Sequence, residues 1–271
     1  MAILEPFALA IAFLLSYIYD FVASYGFSIA LLTVVINVII FPLTLRQTRS
    51  TKRMQDAQSD IKALQKKHKD NKEELNKAMA AMYKEKGINP LGCILPLIVQ
   101  MPIWFALFRV LREPLSFIPN TSSLFKELEN SSSLTFFNMD LQIPPSEVSD
   151  WIDRVPYLVL ILFVILTALY QQQQITKKSN NSNNPQAQQM QMIGKVMPIF
   201  FGFISWTLPT GLVVYFLTGN IFRIGQQALI VKLDDREETK KENTKNEENE
   251  QQNDSPVQEN SRKNRKKRRR K

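Results

Sequence analysis

The feature that most constrains this chain is the segregation of its apolar residues into long runs. They lie near residues 7–19, 27–45, 91–111, 155–170 and 192–230, and nearly all charged residues fall between them. About 20 consecutive apolar residues span the hydrocarbon core of a bilayer, so the last run has room for two crossings. The mean hydropathy of −0.16 averages two unlike kinds of segment and does not indicate a soluble protein.

The pattern predicts an all-α integral membrane protein with five transmembrane helices. The expected segments, in chain order, are an N-terminal apolar helix over 1–25 that either crosses the membrane or lies in its interface, transmembrane helix 1 over 26–46, a cytoplasmic helical hairpin over 47–90, transmembrane helix 2 over 91–112, an external acidic loop over 113–154, transmembrane helix 3 over 155–174, a cytoplasmic link over 175–191, transmembrane helices 4 and 5 over 192–233, and a disordered basic cytoplasmic tail over 234–271.

The distribution of charge predicts the orientation. Residues 51–86 hold ten Lys/Arg against six Asp/Glu, whereas residues 113–153 hold seven Asp/Glu and one Lys. Since cytoplasmic loops are enriched in Lys and Arg, the hairpin and the tail are expected inside and the acidic loop outside. The Pro- and Ser-containing acidic loop is expected to be irregular.

A helical hairpin is predicted over 47–86 because this segment lacks both Gly and Pro. Its apolar residues recur every three or four positions on either side of a polar break at residues 70–72, as on one face of a helix. The residues of this face are Met54, Ile61 and Leu64, then Leu75, Met79 and Met82. Its basic surface is either a solvated face or a docking surface for anionic head groups, RNA or a protein partner.

The tail from Asp234 onward contains no Leu, Ile, Met or aromatic residue, so it is expected to be disordered. Nine of its last eleven residues are basic, which predicts electrostatic binding to ribosomal RNA or anionic lipid. The alternative is a solubilising tail without a partner. The basic residues are Arg262, Lys263, Arg265, Lys266, Lys267, Arg268, Arg269, Arg270 and Lys271.

Four polar residues fall inside expected transmembrane helices: Asn37, Gln100, Thr218 and Asn220. Polar side chains at such depth face either a neighbouring helix or a water-filled cavity. Interhelical hydrogen bonding explains any one of them, whereas polar residues on three helices favour a hydrophilic groove.

Three arginines lie near the ends of the apolar runs. Arg109 and Arg112 are expected to extend toward the outer interface, and Arg223 toward the inner one.

Cys93 is the only cysteine and His68 the only histidine. An intrachain disulfide and a multi-cysteine metal site are therefore excluded, and a catalytic triad would have to use His68. The chain has no Gly-rich phosphate loop. Neither an enzymatic activity nor a cofactor or metal is expected.

Four stretches together resemble the YidC/Oxa/Albino family of membrane-protein insertases. The match covers about residues 15–230, in order. The stretches are Phe41-Pro42-Leu43-Thr44-Leu45-Arg46-Gln47-Thr48, Tyr83 to Pro96 continuing to Gln100-Met101-Pro102-Ile103, Met197-Pro198 with Phe200 and Phe201, and Pro209-Thr210-Gly211-Leu212 followed by Tyr215 to Asn220 and Gln226-Gln227.

The resemblance implies five helices around a hydrophilic groove that opens to the cytoplasm and the lipid and is closed outside. It implies that polar segments of nascent membrane proteins enter this groove while their apolar helices pass into the lipid bilayer, alone or with a Sec-type translocon. The expected site is a bacterial-type inner (plasma) membrane, or else a thylakoid-type membrane. The ribosome is the expected partner of the tail, and no DNA partner is expected.

One position departs from the family pattern. The family usually has an arginine five residues before the proline of the first motif, where this chain has Asn37 before Pro42. The resemblance thus implies a groove that depends on polarity and hydration more than on charge.

Two other functions are compatible with polar residues in the membrane. A small transporter or channel is the first, although no internal repeat is visible. A membrane-embedded enzyme is the second, and it requires a titratable pair at one depth, which is not evident in the sequence.

Overall fold

A computed structural model describes residues 4–88, 95–130, 134–176 and 196–253. These residues are predominantly helical, which confirms the predicted fold class. The only strands among them form a small antiparallel hairpin, β1 (Thr135–Phe136) and β2 (Met139–Asp140). The helices are α1 (Glu5–Val22), α2 (Tyr25–Asp56), α3 (Gln58–Lys67), α4 (Lys72–Glu85), α5 (Leu95–Arg112), α6 (Ser123–Asn130), α7 (Trp151–Thr176), α8 (Val196–Ser205) and α9 (Thr210–Asn253).

Among the described helices, α1, α2 and α7 are long and apolar enough to cross a membrane by length and composition. The predicted number of five crossings therefore stays a prediction. The chain divides into two compact units, residues 1–225 and residues 226–271. The first unit contains the packed helices, and the described part of the second is the continuation of α9.

Helix α1 packs against α2, α5 and α6. Its inner face consists of buried small and branched residues at helical spacing, namely Ala8, Ile11, Ala12 and Leu15. Its outer face exposes Phe13 and Phe21, which are 65% and 74% exposed. This two-sided character is typical of a helix with protein on one side and lipid on the other. Its 18 residues extend over about 27 Å at 1.5 Å per residue, close to the thickness of a bilayer core.

Helix α2 continues beyond the expected membrane edge at residue 46 and ends only at Asp56. No Gly or Pro occurs between Pro42 and Gly87. A break at Ala57 separates α2 from α3, and the hairpin itself consists of α3 and α4. In the turn between them, the Asn71 side chain caps α4 by accepting hydrogen bonds from the backbone N–H groups of Glu73 and Glu74.

The hairpin is antiparallel, because an ion pair joins Lys86 after the end of α4 to Asp60 near the start of α3. The apolar face predicted from periodicity is the shielded one. Met82 is buried, and the other five residues are partly buried: Met54, Ile61, Leu64, Leu75 and Met79.

The acidic segment over 113–153 is more regular than the sequence predicted. It contains α6, the β-hairpin and two short 3₁₀ turns, Pro114–Ser116 and Pro145–Glu147. Leu124, Leu134 and Leu141 are buried in the same hydrophobic core as the long helices. The expectation of irregular structure was wrong because these scattered apolar residues join the core of the long helices, and the elements of the segment contact α1, α2 and α7.

The last helix also exceeds its predicted length. Disorder was expected from Asp234, yet α9 is helical to Asn253. No Gly or Pro occurs between Gly225 and that residue, and Lys, Glu and Gln are good helix formers. The basic cluster beyond Ser261, the junction at 89–94 and most of the predicted link at 175–191 lie outside the described residues.

Candidate functional site

A hydrogen bond connects α5 to α9 within the expected membrane region. The Gln100 side-chain amide donates to the Tyr215 hydroxyl at 2.7 Å. Tyr215 is buried beside Phe216, which packs against Trp104 of α5 and Phe201 of α8. The indole nitrogen of Trp104 is also buried and has no hydrogen-bond partner among the described residues. The Gln100 amide and the Trp104 indole thus face the α9 side of the bundle.

A second set of polar contacts connects α9 to α7. The side-chain amide of Asn220 donates to the Val164 carbonyl and to the Thr167 hydroxyl, each at 3.3 Å. Asn220 is only 6% exposed. Thr167 in turn donates to the Phe163 carbonyl at 2.6 Å. A buried amide is stable here because both helices supply partners for it.

Arg223 extends this set toward the centre of the helix. One terminal nitrogen of its guanidinium donates to the Asn220 side-chain oxygen at 2.8 Å. A Cβ added to Gly219 would lie 3.4 Å from both terminal nitrogens. The guanidinium therefore lies alongside the preceding turn. The expectation that Arg223 extends to the inner interface was wrong, since Asn220 and the bare surface of Gly219 accommodate it nearer mid-helix.

Asn37 does not join these contacts. Its side-chain amide donates to the Thr33 carbonyl of its own helix at 2.8 Å, and the residue is partly buried. Thr218 is partly buried on α9, between Tyr215 and Asn220. Of the four predicted groove residues, the structure thus places two, Gln100 and Asn220, in contacts between helices.

Tyr215 and Thr167 were not among the predicted site residues. Tyr215 occurs in a motif that carries the family resemblance. A tyrosine hydroxyl within an apolar helix needs a hydrogen-bond partner, and this could have identified Tyr215 as a site residue. Thr167 is the only serine or threonine in the apolar run of α7. Hydropathy does not distinguish such a residue from a threonine that only bonds to its own helix, so its role depends on the helix that packs against it.

The acidic segment covers the end of this region at which α9 begins. The first backbone N–H groups of α9, at Thr210 and Gly211, donate to the carbonyls of Ile143 and Leu141 at 3.1 and 2.8 Å. The Thr210 hydroxyl also donates to the Ile143 carbonyl, at 2.8 Å. The first turn of a helix leaves these donors without partners inside the helix, so the segment satisfies them.

Of the two arginines of α5, Arg109 is directed toward the acidic segment, whereas Arg112 lies over an aromatic ring of its own helix, and their expected position at the outer interface stays a prediction. The Arg109 guanidinium lies over the Phe117 ring at 4.9 Å, and that of Arg112 over Phe108 at 5.6 Å. Cations at these positions are stabilised by the aromatic faces.

The chemistry available at the site is hydrogen bonding and one positive charge. Within the described ranges, no group of three or more His, Cys, Asp or Glu residues could hold a metal ion. The donors and acceptors belong to uncharged amides and hydroxyls, apart from Arg223.

The chain is similar to known membrane proteins in sequence and in structure. The sequence profile of the family described as "60Kd inner membrane protein" matches residues 17–238. The chain is 30% identical over 232 residues to membrane protein insertase YidC of Treponema denticola, covering 84% of this chain and 38% of that protein. It is 30% identical over 223 residues to inner membrane protein ALBINO3, chloroplastic, of Arabidopsis thaliana, covering 78% of this chain and 47% of that protein.

A solved structure described as an active YidC insertase with its first transmembrane domain resolved is also similar. It has a TM-score of 0.52 and 25% identity, and the alignment covers 79% of this chain and 43% of that chain. The chain therefore spans less than half the length of each of these relatives.

Proposed function

Because the chain belongs to the 60Kd inner membrane protein family, we propose that it is an insertase that transfers hydrophobic segments of nascent membrane proteins into the lipid bilayer. The observation that carries this proposal is the polar set that joins α5, α7 and α9 within otherwise apolar helices. The proposed location is the inner (plasma) membrane, where the chain crosses several times, with a thylakoid-type membrane as the alternative.

The mechanism is the lowering of a desolvation cost. An unsatisfied backbone group in hydrocarbon costs several kcal/mol, so a short polar segment crosses slowly without partners. In the proposed groove, Gln100, Tyr215 and Asn220 offer exchangeable hydrogen bonds to that segment while the apolar helix of the substrate moves into lipid. The capped outer end of α9 supports a groove that is closed outside. No covalent step, nucleotide or metal is needed.

The competing function is a small transporter or channel, and reconstitution separates the two. Liposomes containing the purified full chain are supplied with a nascent single-span substrate, and insertion is measured by protection of its translocated end from protease. Protection above that of empty liposomes supports the insertase. If protection stays at the level of empty liposomes while small solutes equilibrate across the membrane, the chain is a transporter or channel.

We further propose that the tail binds the ribosome during insertion. Nine basic residues in the last eleven positions favour contact with RNA phosphates, and such binding releases counterions and weakens steeply with salt. Truncation after Asn260 is expected to reduce co-sedimentation with ribosomes. Co-sedimentation that is unchanged by truncation, or insensitive to salt, rejects this partner. Whether a Sec-type translocon cooperates is tested by repeating reconstitution with and without one.

A further inference from the structure

We propose that Arg223 supplies the positive charge of the substrate path and selects substrates whose translocated segment carries Asp or Glu. This inference rests on the proposed function and adds a residue that determines specificity. The Arg223 guanidinium lies within an apolar helix and is directed toward mid-helix, where it contacts Asn220 and the surface of Gly219.

The position of Arg223 is given by the packing at the outer end of the bundle. A Cβ added to Gly211 would lie 3.1 Å from the Ile29 side chain, so these two residues lie at the same level. Asn37 follows Ile29 by eight residues, and Gly219 follows Gly211 by eight, so both lie about 12 Å further along their helices at 1.5 Å per residue. The guanidinium beside Gly219 is therefore at about the depth of Asn37.

This cation has no carboxylate partner among the described residues. The apolar stretches of α2, α5, α7, α8 and α9, over 25–45, 95–112, 155–174, 196–205 and 210–230, contain no Asp or Glu. The neighbouring groups are the uncharged Asn220 and, close enough to interact electrostatically, the Tyr215 hydroxyl. Ionisable residues inside membranes are normally paired or functional, and this one is left with an unmatched charge.

The chemistry of the missing partner follows from the geometry. A guanidinium presents several donors in a fork that matches a carboxylate, and only one terminal nitrogen is used by Asn220. A lipid phosphate lies at the interface and not at mid-helix. An acidic side chain in a polar segment that crosses the membrane reaches this depth. The charge absent from α2, where the chain has Asn37, is thus present on α9.

The test uses the full chain in liposomes and three single-span substrates that differ only by Asp, Asn or Lys in the translocated segment. With the parent protein, insertion should rank Asp above Asn and Asn above Lys. In the Arg223→Gln variant the Asp and Asn substrates should insert equally, and Arg223→Lys should retain the preference for Asp. In the double variant Arg223→Gln/Asn37→Arg, the preference should return.

The outcomes separate this inference from the function on which it rests. If no substrate is inserted, the proposed function fails. If the parent inserts the Asp and Asn substrates equally, the function stands and Arg223 does not select charge. This comparison uses the parent protein alone, so it does not depend on the folding of any variant. If Arg223→Gln lowers insertion of all substrates by the same factor while the preference remains, Arg223 is only a structural link to Asn220, and the inference is overturned.

Discussion

Gln100 and Tyr215 lie 115 residues apart in sequence and are joined by a 2.7 Å hydrogen bond between α5 and α9. Interhelical hydrogen bonds in membranes are worth about 0.6 kcal/mol on average. Replacing Tyr215 by Phe or Gln100 by Leu should each lower stability modestly, and the double variant should show a coupling energy of about 0.6 kcal/mol. Unfolding in detergent micelles, followed for the parent, both single variants and the double variant, measures it. Strictly additive losses would mean that the bond does not contribute.

The contact between Gly26 and Phe136 leaves no room for a side chain. A Cβ on Gly26 would lie 2.3 Å from the Phe136 ring, which is itself packed against Phe27 and Phe137. Gly26→Ala should therefore cost about 1–3 kcal/mol by overpacking. Gly225→Ala is the matched control: its added Cβ meets nothing within 4 Å, and it should gain up to about 1 kcal/mol. Thermal unfolding of both variants checks this. Equal melting temperatures of the two variants would show that Gly26 is not tightly packed against Phe136.

The hairpin formed by α3 and α4 should lie in the cytoplasm. In a Cys93→Ser background, Lys67→Cys places one thiol at the exposed end of α3. A membrane-impermeant maleimide should label it in inside-out vesicles and not in right-side-out vesicles. Trp151→Cys, at the exposed start of α7, is the control for the opposite side. Labelling of position 67 from outside contradicts the orientation on which the groove depends.

Asn37 contributes polarity and not a link between helices. Because its amide bonds only to the Thr33 carbonyl of its own helix, Asn37→Leu should change stability by less than about 0.6 kcal/mol. It should nevertheless reduce insertion of acidic and neutral substrates alike, because it removes a polar group from the groove. Asn37→Arg should be tolerated and should favour acidic substrates. Insertion of paired substrates by each variant measures this.

Two results would count against this role of Asn37. If Asn37→Leu inserts both substrates as well as the parent does, Asn37 is only a packing residue. If Asn37→Arg does not fold, the site is too dry for a charge and the groove lies elsewhere.

The elements of this fold follow from local patterns in the sequence, whereas the contacts between them do not. Hydropathy predicted the apolar helices, and the lack of Gly and Pro over 47–86 predicted the helical hairpin. Residue spacing cannot show that Asn220 meets Thr167, because that depends on how two helices pack. The direction of Arg223 likewise depends on Gly219, whose lack of a side chain leaves space for the guanidinium.

If the chain is an insertase, the polar residues of α9 should contact the polar segment of a substrate during insertion. A photo-cross-linking amino acid is placed at Thr218, between Tyr215 and Asn220, and in a second variant at Phe13, on the exposed face of α1. Each full-length variant is illuminated with a ribosome-arrested single-span substrate, and the cross-linked position is mapped on the substrate. We expect position 218 to cross-link to the polar segment and position 13 not to do so. Equal cross-linking from both positions, or none from Thr218 while insertion proceeds, would contradict it.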